Sequence, residues 1–177
     1  DKALKEDVQD TYNMVSVDGD TSTNDTVLLL ANGMAGNAEI TEENDDYKAF
    51  CKALNVVNTF LARKIAGDGE GATALFEVKV VNAASKEEAV ILSKSVVTSS
   101  LTKAAIYGHD ANWGRILCAI GYSEASYDVD KIEVSLASSK GSILVCQNGR
   151  GYPFSEEKAL EILSEDEIEI LIDLHDG

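Results

Sequence analysis

The sequence predicts an α/β protein, in which helices and strands alternate along the chain. Residues 26–31 form a continuous apolar run with the length of a strand buried on both faces. Residues 73–81 alternate apolar and charged side chains, which is typical of a half-buried strand. Ser85 and Glu88 have the spacing of a capping box, so an amphipathic helix is expected to follow. Strands separated by helices in this way indicate a βαβ-like organisation.

The first third of the chain predicts two helices around a polar loop and the apolar run. Residues 2–12 have the pattern of an amphipathic helix. The polar segment 16–24 is expected to lie at a strand end, where sites are commonly built. Thr41 is the predicted N-cap of a long helix that ends at Gly67. That helix is expected to bury one apolar stripe, made of Tyr47, Phe50, Cys51, Leu54, Val57, Phe60 and Leu61.

The rest of the chain predicts a second set of strands and helices. A small strand is expected at residues 103–107 and a helix at 116–121. The composition shifts after residues 123–128. The elements expected to follow are a strand at 131–137, a hairpin that begins at 142–146, a helix at 155–163 and a strand at 167–174. We therefore predict a core domain at residues 1–127 and a small αβ unit at residues 128–177.

Composition excludes several classes of partner. With 31 acidic and 15 basic residues the formal net charge is -16, which would repel nucleic-acid phosphates and anionic membrane surfaces. Neither a membrane-spanning run nor a secretory segment is recognisable, so we expect a cytoplasmic protein. Cys51, Cys118 and Cys146 form no Cys-x-x-Cys pair and are interpreted as core thiols.

Short motifs offer little support for a metal or a cofactor. The spacing of Asp18 and Asp20 resembles the start of a calcium loop, but Thr23 and Leu29 stand where that loop needs Gly and Glu. The glycines around Glu70 lack the dinucleotide-binding spacing. Glu70 itself lies between two glycines, so its carboxylate is displayed on exposed backbone and could capture an ammonium group; a solvated turn residue is the alternative.

Three motifs together resemble the ornithine acetyltransferase family. They are SVDGDTSTNDTV at residues 16–27, DGEGAT at residues 68–73 and AIYGHDANWGRI at residues 105–116. The family is also called the bifunctional glutamate N-acetyltransferase of arginine biosynthesis. The motifs occur in the family's order, and the similarity extends through essentially the whole chain.

The resemblance implies a fold, a reaction and a partner. The fold would be a layered αββα sandwich followed by a small αβ unit. The family moves an acetyl group from N-acetylornithine to glutamate, and some members also accept acetyl-CoA. Its precursor cuts itself at an Ala-Thr bond, and the new N-terminal Thr of the β chain is the nucleophile. The α chain supplies the oxyanion hole, so an αβ hetero-oligomer is expected.

The sequence departs from the family pattern at three places. Asp1 lies some way into what resembles the β chain, so the nucleophilic Thr is absent from this chain, and Gly177 falls short of the family's C-terminal segment. Ala74 stands where the family usually has Lys. Thr73 follows Ala72 as in the self-cleavage motif, but its register belongs to the Glu70 turn, so it is not assigned as nucleophile.

Residue by residue, only Glu70 carries over as a substrate-binding residue, for the amino end of ornithine or of the amino-acid backbone. Segments 18–24 and 112–115 are interpreted as architecture. The resemblance thus implies the β-chain portion of a glutamate N-acetyltransferase that uses no metal and no cofactor. The alternative is a non-catalytic fragment or binding module with the same fold. Whether acetyl-CoA is accepted stays open.

Overall fold

The computed structural model describes residues 1–177 and divides them into two compact units, Asp1–Gly69 and Glu70–Gly177. The first unit contains helix α1 (Lys2–Asp10), a 3₁₀ turn at Tyr12–Met14 and helix α2 (Asp45–Gly67). The predicted helix at residues 2–12 is confirmed over most of its length.

Helices α1 and α2 contact each other through polar side chains. One oxygen of the Asp7 carboxylate accepts a hydrogen bond from Asn55 Nδ2 at 2.8 Å. The other accepts one from Asn58 Nδ2 at 2.6 Å, and Asn58 is buried. Burying an amide without a hydrogen-bond partner costs free energy. The hydrogen bond to Asp7 therefore stabilises the buried position of Asn58 on the side of α2 that faces α1.

The N-cap predicted for α2 at Thr41 is wrong. The helix begins after Asn44, whose side-chain oxygen accepts a hydrogen bond from the backbone N–H of Tyr47 at 3.0 Å. Asp45 and Asp46 then occupy the first turn, where carboxylates interact favourably with the helix dipole. Asn44 satisfies the helix start, so Thr41 lies outside it.

The apolar stripe predicted to be buried on α2 is also wrong. Phe50, Val57, Phe60 and Leu61 are exposed, whereas the buried residues of the helix are Asn58 and Ala62. The amphipathic pattern is present, but α1 packs against the side that carries Asn58. Periodicity indicates which face is apolar and does not reveal whether its partner lies in the same chain.

The strand predicted at residues 26–31 is not formed. These residues belong to neither a helix nor a strand, and every residue from 17 to 46 is exposed. A strand requires a neighbour whose backbone completes its hydrogen bonds. None of the five strands of the sheet pairs with residues 26–31, so no strand of this chain completes their backbone hydrogen bonds.

The second unit is built from a sheet and four helices. In chain order its elements are β1 (Leu75–Val81), α3 (Lys86–Thr98), α4 (Ser100–Tyr107), α5 (Trp113–Gly121), β2 (Glu133–Ser138), β3 (Gly141–Gln147), β4 (Arg150–Gly151), α6 (Glu156–Leu163) and β5 (Glu167–Asp173). The five strands lie in the order β1-β5-β2-β3-β4. Strands β1 and β5 are parallel and the other pairs antiparallel. The predicted α/β class is confirmed.

The core of this unit lies on one face of the sheet. Leu136 pairs with Ile170, and all of the buried positions of β5 alternate with half-exposed ones, as the pleat requires. Helices α3, α5 and α6 cover this face with Leu92, Ile120 and Leu163 among other fully buried side chains. The opposite face carries polar and half-exposed residues such as Ser135 and Glu169.

Local signals predicted most elements of this unit. Ser85 Oγ accepts the Glu88 N–H at 3.2 Å and starts α3, as its capping box predicts. The strand predicted at residues 103–107 is wrong, because Ser99 caps a new helix, α4, by accepting the Thr102 N–H at 3.2 Å. Five residues are too few to separate a helical from a strand pattern. The hairpin, helix and last strand predicted after residue 131 are confirmed.

Residue 128, where the sequence predicts a domain boundary, lies inside the second compact unit. Strand β1 comes before this residue and β5 after it, and the two pair along their whole length, from Leu75 opposite Glu167 to Val81 opposite Asp173. The shift in composition there therefore coincides with a loop between elements that share one sheet.

Taken one at a time, none of the helices has both the length and the hydropathy of a membrane-spanning segment. Helices α3 and α4 reach that length and composition only as a pair, across a bend of 60°.

Candidate functional site

Glu70 lies in an exposed turn shortly before β1. The next residue, Gly71, has φ +72°, a left-handed conformation that residues with a side chain adopt at a cost. The Glu70 carboxylate forms no hydrogen bond or ion pair within this chain. Its turn therefore presents an uncompensated negative charge to solvent, which is the property that recognition of an ammonium group needs.

The segment after Glu70 leads to the edge of the sheet where β1 and β5 both begin. The Leu75 N–H donates to the Asp166 carbonyl at 2.8 Å, which fixes the start of β1 beside that of β5. Two parallel strands thus begin side by side, so Glu70 is tied to a rigid element by a short connection. A binding residue is held more accurately in this way than on a long loop.

Several other charged side chains near the start of β5 are paired. Lys140 lies 3.7 Å from the Glu165 carboxylate, which also accepts a hydrogen bond from Ser139. Lys158 Nζ donates to the Lys140 carbonyl and to Glu161, each at 2.8 Å. The hydrogen bond from Lys158 lowers the pKa of Glu161. These lysines therefore hold the β2–β3 hairpin and α6 in place, and Glu70 differs from this network in having no cation beside it.

Thr73 and Ala74 connect the Glu70 turn to β1. Thr73 is exposed, whereas Ala74 is half-buried and packs against the hydrophobic core. Ala74, which stands where the resembled family usually has Lys, thus contributes apolar contact here. No cation is supplied at this position of the chain.

The segment 112–115 forms structural contacts. Asn112 Oδ1 accepts the Arg115 N–H at 3.2 Å and caps α5, while its Nδ2 donates to Asp110 at 3.0 Å. Arg115 Nη1 donates to the Leu101 carbonyl in α4 at 3.2 Å. Trp113 lies so close to Gly151 of β4 that a Cβ at Gly151 would be 2.5 Å from its ring. These contacts support the interpretation of this motif as architecture.

The polar segment 18–24 contains local turns. Asp18 Oδ1 accepts the Asp20 N–H at 2.8 Å, and Ser22 Oγ accepts the Asp25 N–H at 2.9 Å. Both contacts join residues two or three positions apart, and the whole segment is exposed. Side chains that bond their own backbone are typical of turns.

The expectation of three core thiols is confirmed for Cys146 alone. Cys146 is fully buried in β3, and this burial raises the pKa of its thiol. Cys51 is half-buried, and Cys118 is exposed on α5, so the core-thiol interpretation is wrong for Cys118. The apolar composition around Cys118 in sequence gave no indication of which side of the helix faces solvent. The chain contains no group of three or more His, Cys, Asp or Glu residues arranged to hold a metal ion.

The structure also brings together a polar cluster that the sequence did not predict. His175 lies between Glu133, at 3.4 Å from its Nε2, and Asp173, at 3.5 Å from its Nδ1. Asn82 donates to Asp173 at 2.9 Å, and Gln147 donates to Glu133 at 3.0 Å. These residues come from the opposite ends of β1, β2, β3 and β5 from the Glu70 turn. Their separation in sequence left no local signal.

Comparison with known proteins decides the family. The sequence model of the ArgJ family matches residues 1–177, the whole chain. The chain belongs to the ArgJ family. It is 54% identical over 177 residues to the arginine biosynthesis bifunctional protein ArgJ of Caldanaerobacter subterraneus subsp. tengcongensis, covering all of this chain and 44% of the relative. It is 52% identical to ArgJ 1 of Clostridium acetobutylicum, covering 99% of this chain and 43% of the relative.

A solved ArgJ structure has the same fold. The crystal structure of the arginine biosynthesis bifunctional protein ArgJ from Bacillus halodurans superposes with a TM-score of 0.92 at 45% sequence identity. The match covers 99% of this chain and 81% of the solved chain. The family resemblance and the fold class are therefore confirmed. The ArgJ-family chain described here spans less than half the length of the curated relatives it matches.

Proposed function

We propose that this chain is the β-chain portion of a glutamate N-acetyltransferase that moves an acetyl group from N-acetylornithine to glutamate. The observation that carries the proposal is the match of the entire chain to ArgJ arginine biosynthesis bifunctional proteins, at 54% identity in sequence and a TM-score of 0.92 in structure. Fold alone would be a weak reason, because one fold serves many functions. Identity at this level, over every element of the chain, is a much stronger one.

The proposed reaction has two steps through a threonine that lies outside this chain. The hydroxyl of that Thr attacks the acetyl carbonyl of N-acetylornithine, and its proton passes to the leaving amine. The bond between the acetyl carbon and the ornithine nitrogen breaks, so ornithine departs and the acetyl group stays on the Thr oxygen as an ester. The amine of glutamate then attacks the ester, the hydroxyl regains a proton and N-acetylglutamate leaves. Oxyanion-hole donors stabilise both tetrahedral intermediates, and we assign them to the α chain of the same precursor.

Within this chain, we propose that Glu70 binds a substrate ammonium. Three properties support this role: the carboxylate is exposed, it has no partner in the chain, and a short segment ties it to the start of β1. A charged hydrogen bond between a carboxylate and an ammonium is about twice as strong as a neutral one. The positive end of ornithine, or the amino group of an amino-acid backbone, has the complementary charge.

The remaining parts of the proposal concern assembly and location. An α chain contributes catalytic groups, so an αβ hetero-oligomer is the proposed active form. We place it in the cytoplasm, since its substrates are small metabolites of amino-acid synthesis. No metal and no cofactor is required by the two steps above. The donor range, with or without acetyl-CoA, depends on groups outside this chain.

Trapping the acetyl-enzyme tests the proposed reaction. The chain is joined to the parts of the Caldanaerobacter relative that lie outside the match, giving a completed polypeptide. This is mixed with N-acetylornithine, quenched in acid and analysed by peptide mass spectrometry. We expect an acetyl ester on a Thr outside the 177 residues. An acetyl ester on a residue of this chain would contradict the proposal, as would the lack of any ester under conditions where ornithine is released.

A further inference from the structure

Strand β1 is an edge strand, and its outer edge carries unpaired backbone groups. The sheet has β5 on one side of β1 and no strand on the other. The Leu75 N–H donates to the Asp166 carbonyl, so Leu75 and every second residue after it point their backbone groups toward β5. The residues between them are Phe76, Val78 and Val80. Their N–H and C=O groups point outward, where no group of this chain bonds them.

The charges of β1 lie on the face of the sheet opposite the hydrophobic core. Phe76, Val78 and Val80 pack against the core. Glu77 and Lys79 therefore lie on the other face, and both are exposed. A charge on an edge strand normally discourages pairing with another chain. Here the two charges are of opposite sign and lie symmetrically on either side of Val78, so a second copy of β1 can neutralise both.

Antiparallel pairing of two β1 strands about Val78 gives each residue a suitable neighbour. A two-fold axis at Val78 places Glu77 of each copy opposite Lys79 of the other, and opposite charges on facing strands stabilise a sheet. It also places Phe76 opposite Val80, an aromatic and β-branched pair, on the side of the core. The outward-pointing residues of the two copies then face one another. Each copy donates the N–H groups of these three residues to carbonyls of the other.

Other antiparallel registers are unfavourable. A shift by two residues in one direction places Glu77 opposite Glu77 of the second copy, and the same shift in the other direction places Lys79 opposite Lys79. Like charges directly opposite each other destabilise a sheet. A shift by one residue brings outward-pointing backbone groups opposite groups that are already bonded to β5. The charges and the backbone therefore select one register.

The neighbouring strand adds a reason for a cation at this edge. Glu77 lies beside Glu169 of β5 in the register of the sheet. The Glu169 carboxylate forms no hydrogen bond or ion pair within this chain. Glu77 does interact within the chain, but a carboxylate has two oxygens and can accept a further donor. Lys79 of a second copy would lie next to this pair of like charges and offset their repulsion.

We propose that two copies of this chain associate through β1, in antiparallel register about Val78, so that their two sheets become one continuous sheet. The occupant of the open edge is thus a second ArgJ-family chain of the same sequence. The inference does not depend on the proposed acetyl transfer, because the groups that carry it belong to β1 and β5 alone.

Two charge variants of the completed polypeptide test the register. Lys79→Glu brings two carboxylates together at both ends of the interface, and Glu77→Lys brings two ammonium groups together. Each change should raise the dissociation constant of the dimer by at least about tenfold in sedimentation equilibrium. An equimolar mixture of the two variants should restore the parent constant, because every charge then meets its opposite. Lys52→Glu, the same change of charge at an exposed position of α2, is the control.

Amide exchange gives a second measurement of the same pairing. Above the dissociation constant, the amides of Phe76, Val78 and Val80 should exchange at least about a hundredfold more slowly than in the dilute protein. The amides of Glu77 and Lys79 are bonded to β5 in either state and should not change. Protection that alternates along β1 in this way is expected only where a further strand joins the outer edge.

Three results would overturn the inference. The first is a completed polypeptide that stays monomeric up to about 0.1 mM. The second is a dimer whose dissociation constant neither charge variant alters, since another surface would then join the two copies. The third is a mixture of the two variants that remains dissociated, because mixing leaves the contacts within each chain unchanged. Acetyl transfer by a monomer would likewise refute the pairing and leave the proposed function standing.

Discussion

The Glu70 carboxylate has no cation of this chain beside it, whereas two glutamates near the start of β5 and in α6 are paired. Glu165 is paired with Lys140, and Glu161 with Lys158. The lower pKa of Glu161 is a direct consequence of its hydrogen bond from Lys158. Those two glutamates are paired with lysines of this chain, whereas the Glu70 carboxylate is free for the external ammonium that we propose it binds. An unpaired carboxylate on a short, anchored turn is the single residue of this chain to which we assign contact with substrate.

Glu70→Gln should weaken substrate binding in the completed polypeptide. Loss of a charge-assisted hydrogen bond raises the KM for N-acetylornithine by about tenfold to a hundredfold, and kcat falls less because the nucleophile is elsewhere. Steady-state kinetics measure both. Glu124→Gln, which alters an exposed glutamate of the same unit, is the control and should change neither constant. A KM equal to that of the parent would show that Glu70 is a turn residue alone.

The three cysteines should react in the order of their exposure. Iodoacetamide at pH 8 should modify Cys118 in the native protein, Cys51 more slowly, and Cys146 only after unfolding. The pKa of Cys146 is raised in the fold, so the unfolded chain loses this proton at a lower pH. The free energy of unfolding should therefore decrease as the pH rises through the thiol range. Peptide mass spectrometry gives the order; equal labelling of Cys146 and Cys118 would refute it.

At the scale of elements, capping side chains decide where the helices begin. Asn44, Ser85, Ser99, Asn112 and Ser155 each accept a backbone N–H at a helix start. Ser85 could be predicted from sequence because Glu88 completes its capping box. Thr41 was an equally plausible cap by residue type, but Asn44 is followed directly by the two aspartates of the first turn. Residue type alone does not separate such neighbours.

Replacing the cap of α2 should separate the two candidates. Asn44→Ala should lower the free energy of unfolding by about 1 kcal/mol, because the Tyr47 N–H loses its acceptor. Thr41→Ala lies outside the helix and should leave stability unchanged. Urea unfolding followed by circular dichroism measures both. A larger loss for Thr41→Ala than for Asn44→Ala would mean that the helix begins earlier than the structure shows.

A side chain at position 151 should destabilise the protein, because Trp113 packs directly against Gly151. Gly151→Ala places a Cβ 2.5 Å from the Trp113 ring, so α5 or β4 must shift, at a cost of about 1 to 3 kcal/mol. Gly121→Ala is the matched control, since nothing lies within 4 Å of a Cβ there and Ala favours a helix. Thermal unfolding compares the two variants. Equal melting temperatures for Gly151→Ala and the parent would show that this packing is looser than described.

Prediction from sequence succeeded where the partner of an element lies within the chain. The alternating isoleucines of β5 predict a strand, and β1 and β2 are present to pair with it. Residues 26–31 have an equally strong apolar pattern, yet no strand of this chain pairs with them. The prediction that the apolar stripe of α2 is buried is wrong in the same way, since Phe50 and Val57 are exposed and no element of this chain covers them. The hydrophobic pattern of a segment predicts which of its faces is apolar. Whether that face is buried depends on the elements that pack against it.

The candidate site was less predictable than the fold. Local sequence favoured a solvated turn for Glu70, and only the family resemblance gave it a role. The structure adds that the carboxylate is unpaired and close to the start of β1. The nucleophile and the oxyanion donors could not be predicted from these residues because the proposed mechanism places them in other parts of the polypeptide.

For the molecule as a whole, we propose that this ArgJ-family chain contributes to acetyl transfer only as part of a longer assembly. The core of the second unit, on one face of its sheet, consists of side chains that are at most 6% exposed. The first unit, by contrast, leaves apolar surface and backbone open. Apolar side chains exposed in the first unit are suited to contact with another part of an assembly.

The most direct test measures acetyl transfer from N-acetylornithine to glutamate, by the chain alone and by the completed polypeptide, at equal concentrations. Mass spectrometry of N-acetylglutamate formed from isotope-labelled glutamate gives the rate. We predict no transfer above the uncatalysed rate by the chain alone and multiple turnovers by the completed polypeptide. Turnover by the chain alone, or an inactive completed polypeptide that is correctly folded, would contradict the proposed role of this chain.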